Sequence, residues 1–251
     1  MAMSKPPILF IHGFPFDHAM WRNQVAALSE WECLVPDLQG AGVAPAPPSP
    51  DAYSMAVYAR DLIELLDERR VESTVVCGLS MGGYVAFELL RQIPQRVRAM
   101  VLCNTKSAAD APEGKRGRDA LAEKARSAGA GAVADELVPK ALSPRTLAQD
   151  QNVVRDVRAM IERQQVAGIV GALHALRERP DSTPLLAGIR VPVLVVAGSD
   201  DQITPAAGMR EMAHAISGAQ FTLIQDAGHL SPLEQPAAVN AALRGFLKKL
   251  V

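Results

Sequence analysis

Six short runs of the chain are apolar at nearly every position, and apolar residues recur every three or four positions in the longer stretches between them. The runs cover 8–11 (Ile8-Leu9-Phe10-Ile11), 33–36, 74–78, 98–103, 191–197 and 221–224. A half-exposed strand would alternate; unbroken runs this short read as strands buried on both faces. The periodic stretches predict helices over 18–28, 54–69, from about Met81 to 92, 205–216 and 235–250. In the second of these, Val57, Leu62, Leu65 and Leu66 form one stripe opposite acids and arginines. Strands alternating with helices imply the α/β class, with a mostly parallel sheet of about six strands, right-handed crossovers and helices on both faces.

The pattern changes over 106–181. No β-branched run survives there, and helical periodicity appears in 116–126, 132–140, 146–165 and 166–177. Four successive helices exceed what one crossover requires. The expectation is an inserted helical segment dividing the chain into 1–105, 106–181 and 182–251.

Composition narrows the picture. A chain of 251 residues, 49% hydrophobic and 21% charged, suits one large α/β domain with an insertion. Lys and Arg number 26 against 27 Asp and Glu, a net charge of −1, so no basic field points to nucleic acid or an anionic membrane. Residues 1–7 carry no apolar leader core, and the run at 8–11 is too short to span a bilayer, which makes a cytoplasmic location the expectation. Cys33, Cys77 and Cys103 form no C-x-x-C pair and lie in or beside strands, as buried free thiols do. His12, His18, His174, His214 and His229 form no H-E-x-x-H or Cys/His cluster; neither a metal nor a cofactor is expected.

Candidate chemistry collects at the carboxyl ends of the strands, where such sheets hold ligands. There stand His12-Gly13-Phe14, Ser80, Asp200-Asp201 and Gly228-His229. Ser80 lies in Gly78-Leu79-Ser80-Met81-Gly82, the G-x-S-x-G pattern of a nucleophile elbow. A strand reversing into a helix within so few residues strains the serine backbone, and hydrogen is the tolerated side chain two positions either side. A serine hydroxyl is a poor nucleophile unless a base takes its proton, and His229 is placed to do so. A carboxylate behind the imidazole fixes its tautomer; Asp200 and Asp201 both qualify by position.

Four segments together resemble the α/β-hydrolase superfamily over essentially the whole chain. They are Phe10-Ile11-His12-Gly13-Phe14-Pro15, Gly78-Leu79-Ser80-Met81-Gly82-Gly83, Ala197-Gly198-Ser199-Asp200-Asp201-Gln202-Ile203-Thr204-Pro205, and Asp226-Ala227-Gly228-His229-Leu230-Ser231-Pro232-Leu233-Glu234-Gln235-Pro236. The resemblance implies a Ser80–Asp201–His229 triad, because the family's acid falls three residues after the strand-ending glycine; Asp200 is then a loop or capping residue. It implies an oxyanion hole from the backbone amides of Phe14 and Met81, with His12 bracing the turn. Trp21 and Tyr84 read as core. The segment 106–181 becomes a cap, and Leu137, Val138, Met160, Ile161, Val166 and Ile169 become candidates for lining a pocket.

Within the superfamily, the Gly-His-Leu-Ser-Pro-Leu-Glu-Gln-Pro segment and the short chain resemble 3-oxoadipate enol-lactonases and small carboxylesterases. The implied reaction is hydrolysis of a small-molecule ester or lactone through an acyl-enzyme. An enol-lactone carries a carboxylate, for which Arg116, Arg118, Arg126, Arg155, Arg158 and Arg163 are candidate partners. Carbon–carbon bond hydrolases and perhydrolases are nearby relatives, although the perhydrolase-type loop commonly has Trp where Phe14 stands. Ser80 excludes the usual dehalogenase route through Asp. A receptor retaining the triad without turnover, and acyl transfer to an acceptor other than water, remain as other classes. Only seven residues precede Ile8, where many members have a β-hairpin. This favours six strands over eight and leaves a sheet edge open to a homo-oligomer contact.

Overall fold

The computed structural model describes residues 5–250. Its strands are β1 (Ile8–Ile11), β2 (Cys33–Leu34), β3 (Thr74–Leu79), β4 (Val97–Cys103), β5 (Val193–Gly198) and β6 (Gln220–Ile224). They form one sheet in the order β2-β1-β3-β4-β5-β6, with every neighbouring pair parallel. β1, β3 and β5 are buried along their whole length, which is why their sequences do not alternate. The edge strands are β2 and β6, both half-buried, so the first strand is not an edge.

The chain steps outward from β1 to β2, then returns past β1 to β3 and proceeds the other way. With right-handed crossovers, that reversal puts α1 (Arg22–Ala27) and α2 (Met55–Glu68) on opposite faces. α2 packs with α3 (Met81–Gln92), and α1 with the last helix. The reversal opens a crevice between the carboxyl ends of β1 and β3, and the loop after β1 there meets the elbow after β3.

Four helices separate β4 from β5: α4 (Pro112–Ala141), α5 (Pro144–Gln149), α6 (Gln151–Glu162) and α7 (Val166–Glu178). The stretches expected at 116–126 and 132–140 are the two arms of α4, which bends where Gly129 takes a left-handed φ of 78°. The helix expected over 146–165 is two helices, because Ser143 caps α5 and Asp150 caps α6 through side-chain bonds to the amides of Thr146 and Val153. After β5 come α8 (Ala206–His214), α9 (Ser231–Glu234) and α10 (Pro236–Leu247). The expected 235–250 helix is α10; the short α9 precedes it as a separate helix, since Pro236 holds Gln235 out of helical geometry at φ −131° and ψ 60°. The first expected helix begins as a 3-10 turn, His18–Trp21, capped by Asp17. Among the described residues, no helix is long and apolar enough to cross a membrane.

Candidate active site

Ser80 sits between the end of β3 and the first turn of α3 at φ 52° and ψ −112°, a region that side chains avoid without local compensation. The compensation is steric and polar. A Cβ on Gly82 would stand 2.2 Å from the Ile11 carbonyl oxygen of β1, and one on Gly78 would stand 2.3 Å from the Gly82 carbonyl oxygen. Glycine at both positions lets α3 start directly against β1. The Ser80 amide donates to the Cys103 carbonyl at 3.0 Å, and its own carbonyl accepts the Gly83 amide at 2.9 Å and the Thr105 hydroxyl at 2.8 Å.

The loop after β1 lies alongside: a Cβ on Gly13 would be 3.4 Å from Ser80 Cβ. His12 is buried between two backbone groups. Its Nε2 accepts the Leu38 amide at 2.9 Å, so Nδ1 carries the proton and donates to the Gly13 carbonyl at 2.9 Å. Burial lowers its pKa below the ordinary imidazole value. The imidazole thus braces the turn that presents Phe14. The amides of Phe14 and Met81 donate to no group of the described residues.

The other two strand ends bring Asp201 and His229 together. The loop after β6 crosses the end of β5 so closely that a Cβ on Gly198 would meet the Gly228 carbonyl oxygen at 2.2 Å. His229 Nδ1 lies 2.9 Å from Asp201 Oδ2, and both residues are buried. Asp201 Oδ2 also accepts the Thr204 hydroxyl at 2.6 Å and Asn104 Nδ2 at 2.8 Å, while Oδ1 accepts the amides of Ile203 at 2.8 Å and Thr204 at 2.9 Å. Burial pushes the Asp201 carboxyl up, but the His229 charge and bond and the Thr204 donors outweigh it and bring it down to about 2. An ionised Asp201 only accepts, so the shared proton belongs to His229 Nδ1, and in the neutral imidazole the lone pair is then on Nε2. Asp200 points elsewhere, accepting from the Ser199 hydroxyl at 3.3 Å.

Ser80, His229, Thr204 and Phe14 line one cavity of about 340 Å³. Both arms of α4 supply its far wall, through Arg118 and Leu121 on one side and Glu136, Leu137 and Lys140 on the other. No hydrogen bond joins Ser80 Oγ to His229 among the described residues. Of the six candidate arginines, Arg118 reaches this cavity, where it pairs with Asp110; Arg126 pairs with Glu123, Arg158 with Asp135 and Glu162, and Arg163 with Asp17. Of the six apolar candidates, Leu137 lines it. Ile169 lines a smaller pocket behind the Phe14 loop, and Val138, Met160 and Ile161 are buried in the helix core, because their stripes face neighbouring helices rather than Ser80. Trp21 is core, its ring 4.9 Å from that of Phe10; Tyr84 is buried in the core too and also lines the cavity.

Asp17, His18 and Asp37 place three potential metal-ligand atoms within 4.8 Å of one another. All four carboxylate oxygens there already accept hydrogen bonds, from Ala19, Arg163, Gln164, His18 and Val43.

Three polar residues were given no role by the sequence, although Glu234 stands in one of the quoted segments. Asn104, fully buried at φ 44°, bridges Asp201 Oδ2, the Gly228 carbonyl and the Ser231 hydroxyl; its only sequence signal is an amide directly after β4. Glu234 accepts from Gly228, Ser143 and Thr146. Asp110 is buried and takes Arg179, Arg118 and Lys106.

A family profile described as alpha/beta hydrolase fold matches residues 6–236. The chain belongs to the α/β-hydrolase family. This α/β hydrolase is 38% identical to a thermophilic esterase from Thermogutta terrifontis, whose structure superposes with a TM-score of 0.93 and aligns over 98% of this chain and 90% of that one. It is 31% identical to an enol-lactonase from Burkholderia xenovorans LB400, with a TM-score of 0.90 and coverage of 98% and 92%. It is also 26% identical over 246 residues to 3-oxoadipate enol-lactonase 2 of Acinetobacter baylyi, covering 98% of this hydrolase and 90% of that protein.

Proposed function

We propose that this α/β hydrolase cleaves small carboxylic esters or lactones through an acyl-enzyme on Ser80. The observation that carries the reading is the 2.9 Å His229–Asp201 hydrogen bond, opening onto the same cavity as a serine held at φ 52°. Ser80 Oγ attacks the carbonyl carbon as its proton passes to His229 Nε2. Asp201, ionised and accepting from Nδ1, stabilises the imidazolium and holds the ring's orientation. The carbonyl oxygen gains negative charge between the free amides of Phe14 and Met81, the latter at the start of α3 where the helix dipole adds to the attraction. The C–O bond to the alcohol breaks, and His229 returns the proton to the departing oxygen. A water then attacks the acyl carbon, His229 takes its proton, and Ser80 leaves with that proton as the acid is released. Residues 106–181 act as a cap that limits water at the reacting carbon.

A second reading narrows the substrate to esters or lactones that carry a carboxylate. It is supported by Lys106, Arg118 and Lys140 on the cavity wall, by the enol-lactonase relatives, and by the malate in the Thermogutta esterase structure. Short-chain p-nitrophenyl esters, assayed with the parent and with Ser80→Ala, test the main reading. Serine-dependent release of nitrophenol supports it; tight ester binding without turnover would instead make the protein a receptor.

A further inference from the structure

Glu234 follows the proposed base by five positions, is buried, and is not part of the cavity wall. Both of its oxygens are in use. Oε1 accepts the Gly228 amide at 2.9 Å, while Oε2 accepts the Ser143 amide at 2.7 Å and the Thr146 hydroxyl at 2.8 Å. One carboxylate therefore joins the amide of Gly228, the residue before His229, to the turn between α4 and α5.

Other contacts run parallel to it. The His229 amide donates to the Ala141 carbonyl at 2.8 Å, and the Ser143 hydroxyl donates to the Asp226 carbonyl at 3.2 Å. Gly228 lies flat on the turn, where a Cβ would approach the Ser143 nitrogen to 2.7 Å. From the sheet side, Asn104 Nδ2 donates to the Gly228 carbonyl at 3.2 Å. The Gly228 residue is thus gripped at its amide by Glu234 and at its carbonyl by Asn104, and the imidazole hangs from the next α-carbon.

We propose that Glu234 is a positioning residue for His229, through which the α4–α5 turn sets where the imidazole stands over Ser80. The inference rests on His229 being the base. Its chemistry requires a carboxylate. Three donors converge on two oxygens, and an amide in the same place would aim an N–H at another N–H. Desolvating a carboxylate is costly, and these three donors, with the shared turn, give that cost a use in holding the His229 loop. Ser143 and Thr146 lie outside the cavity wall as well, so their influence on the reaction is indirect: that of Thr146 runs through Glu234, and that of Ser143 runs through Glu234 and through its own contacts with Asp226 and Gly228.

The test compares the full chain with Glu234→Gln, Thr146→Val, their double variant and His229→Ala. The readouts are kcat and KM for p-nitrophenyl butyrate, the rate of phosphonylation by a fluorophosphonate, and the thermal unfolding midpoint. Displacement of the imidazole by about an ångström corresponds to a loss of about 10- to 100-fold. Glu234→Gln is expected to lower kcat and phosphonylation together by that amount with KM unchanged. Thr146→Val should fall in the same direction by less, and the double variant should fall by less than the product of the two losses. A Glu234→Gln protein with lowered thermal stability but parental kcat and phosphonylation overturns the inference. If that variant does not fold, a folded Thr146→Val protein with parental kcat does the same. His229→Ala separates the two claims. Parental turnover in it removes the base itself, whereas its collapse beside a fully active Glu234→Gln removes only the positioning role.

Discussion

Asp201 takes hydrogen bonds from five donors: the amides of Ile203 and Thr204, the Thr204 hydroxyl, Asn104 and His229. Its folded pKa of about 2 lies below the ordinary 3.8. The sign follows: the unfolded chain binds this proton more readily, so Asp201 contributes stability that is complete above the ordinary value and lost as pH falls through about 2. Urea unfolding of the parent and Asp201→Asn should therefore differ by a constant amount above about pH 5 and converge as pH drops toward the folded value. Asn104→Leu removes two of the bonds that hold the acid and the His229 loop. It should lower kcat by about tenfold or more with KM little changed, measured on the same nitrophenyl esters. Residues of this kind show how far the sequence reached. Ser80 was legible because a strained serine demands glycine at fixed offsets, and His229 because it follows Gly228 at a strand end. Asn104 and Glu234 were not, because a buried amide or acid acquires its meaning only when distant strand ends converge on it.

At the scale of the elements, Asp110 and Arg179 tie α4 to the end of α7. Arg179 places a nitrogen 2.8 Å from the Asp110 carboxylate, with side-chain exposures of 1% and 4%. Its guanidinium also lies over the Tyr84 ring at 4.3 Å. Burial works against the ionised Asp110, and the Arg179 and Arg118 charges overcome it, holding the carboxyl far below its ordinary range. Asp110→Ala leaves Arg179 charged, buried and without its acid; the expected loss is about 3–5 kcal/mol by urea unfolding. The bend of α4 is cheaper to perturb. Gly129 has open space where a side chain would go, so Gly129→Ala meets only the backbone strain of φ 78° and ψ −177°, a conformation left almost entirely to glycine, and about 1–3 kcal/mol is expected. The helices themselves were legible as apolar stripes. Their joints were not: the periodicity around Thr146 runs on into α6, and the break arises from capping by Ser143 and Asp150, which competes locally with helix propagation.

At the scale of the molecule, the strand order is what assembles the site. Reversal between β1 and β3 puts the Phe14 loop beside Ser80, and the run β3-β4-β5-β6 lays Ser80, Asn104, Asp201 and His229 along one rim. The α/β class and six parallel strands could be read from the apolar runs, but the pocket wall could not, since it depends on which faces of α4 turn toward Ser80. That wall carries Lys106, Arg118 and Lys140 against Asp110 and Glu136; Asp110 is shared by Arg179, Arg118 and Lys106, and Glu136 by Lys124 and Lys140. Arg118→Gln should raise KM for a carboxylate-bearing ester by about tenfold, the equivalent of about 1.4 kcal/mol, and by much less for a neutral ester of equal size.

The most direct test of the account is intact-protein and peptide mass measurement on the chain quenched milliseconds after mixing with p-nitrophenyl acetate. The account predicts a gain of one acetyl group on the peptide containing Ser80, formed during the burst of nitrophenol and absent from Ser80→Ala. Hydrolysis by Ser80→Ala at the parental rate, with no acetyl group on either protein, would contradict it.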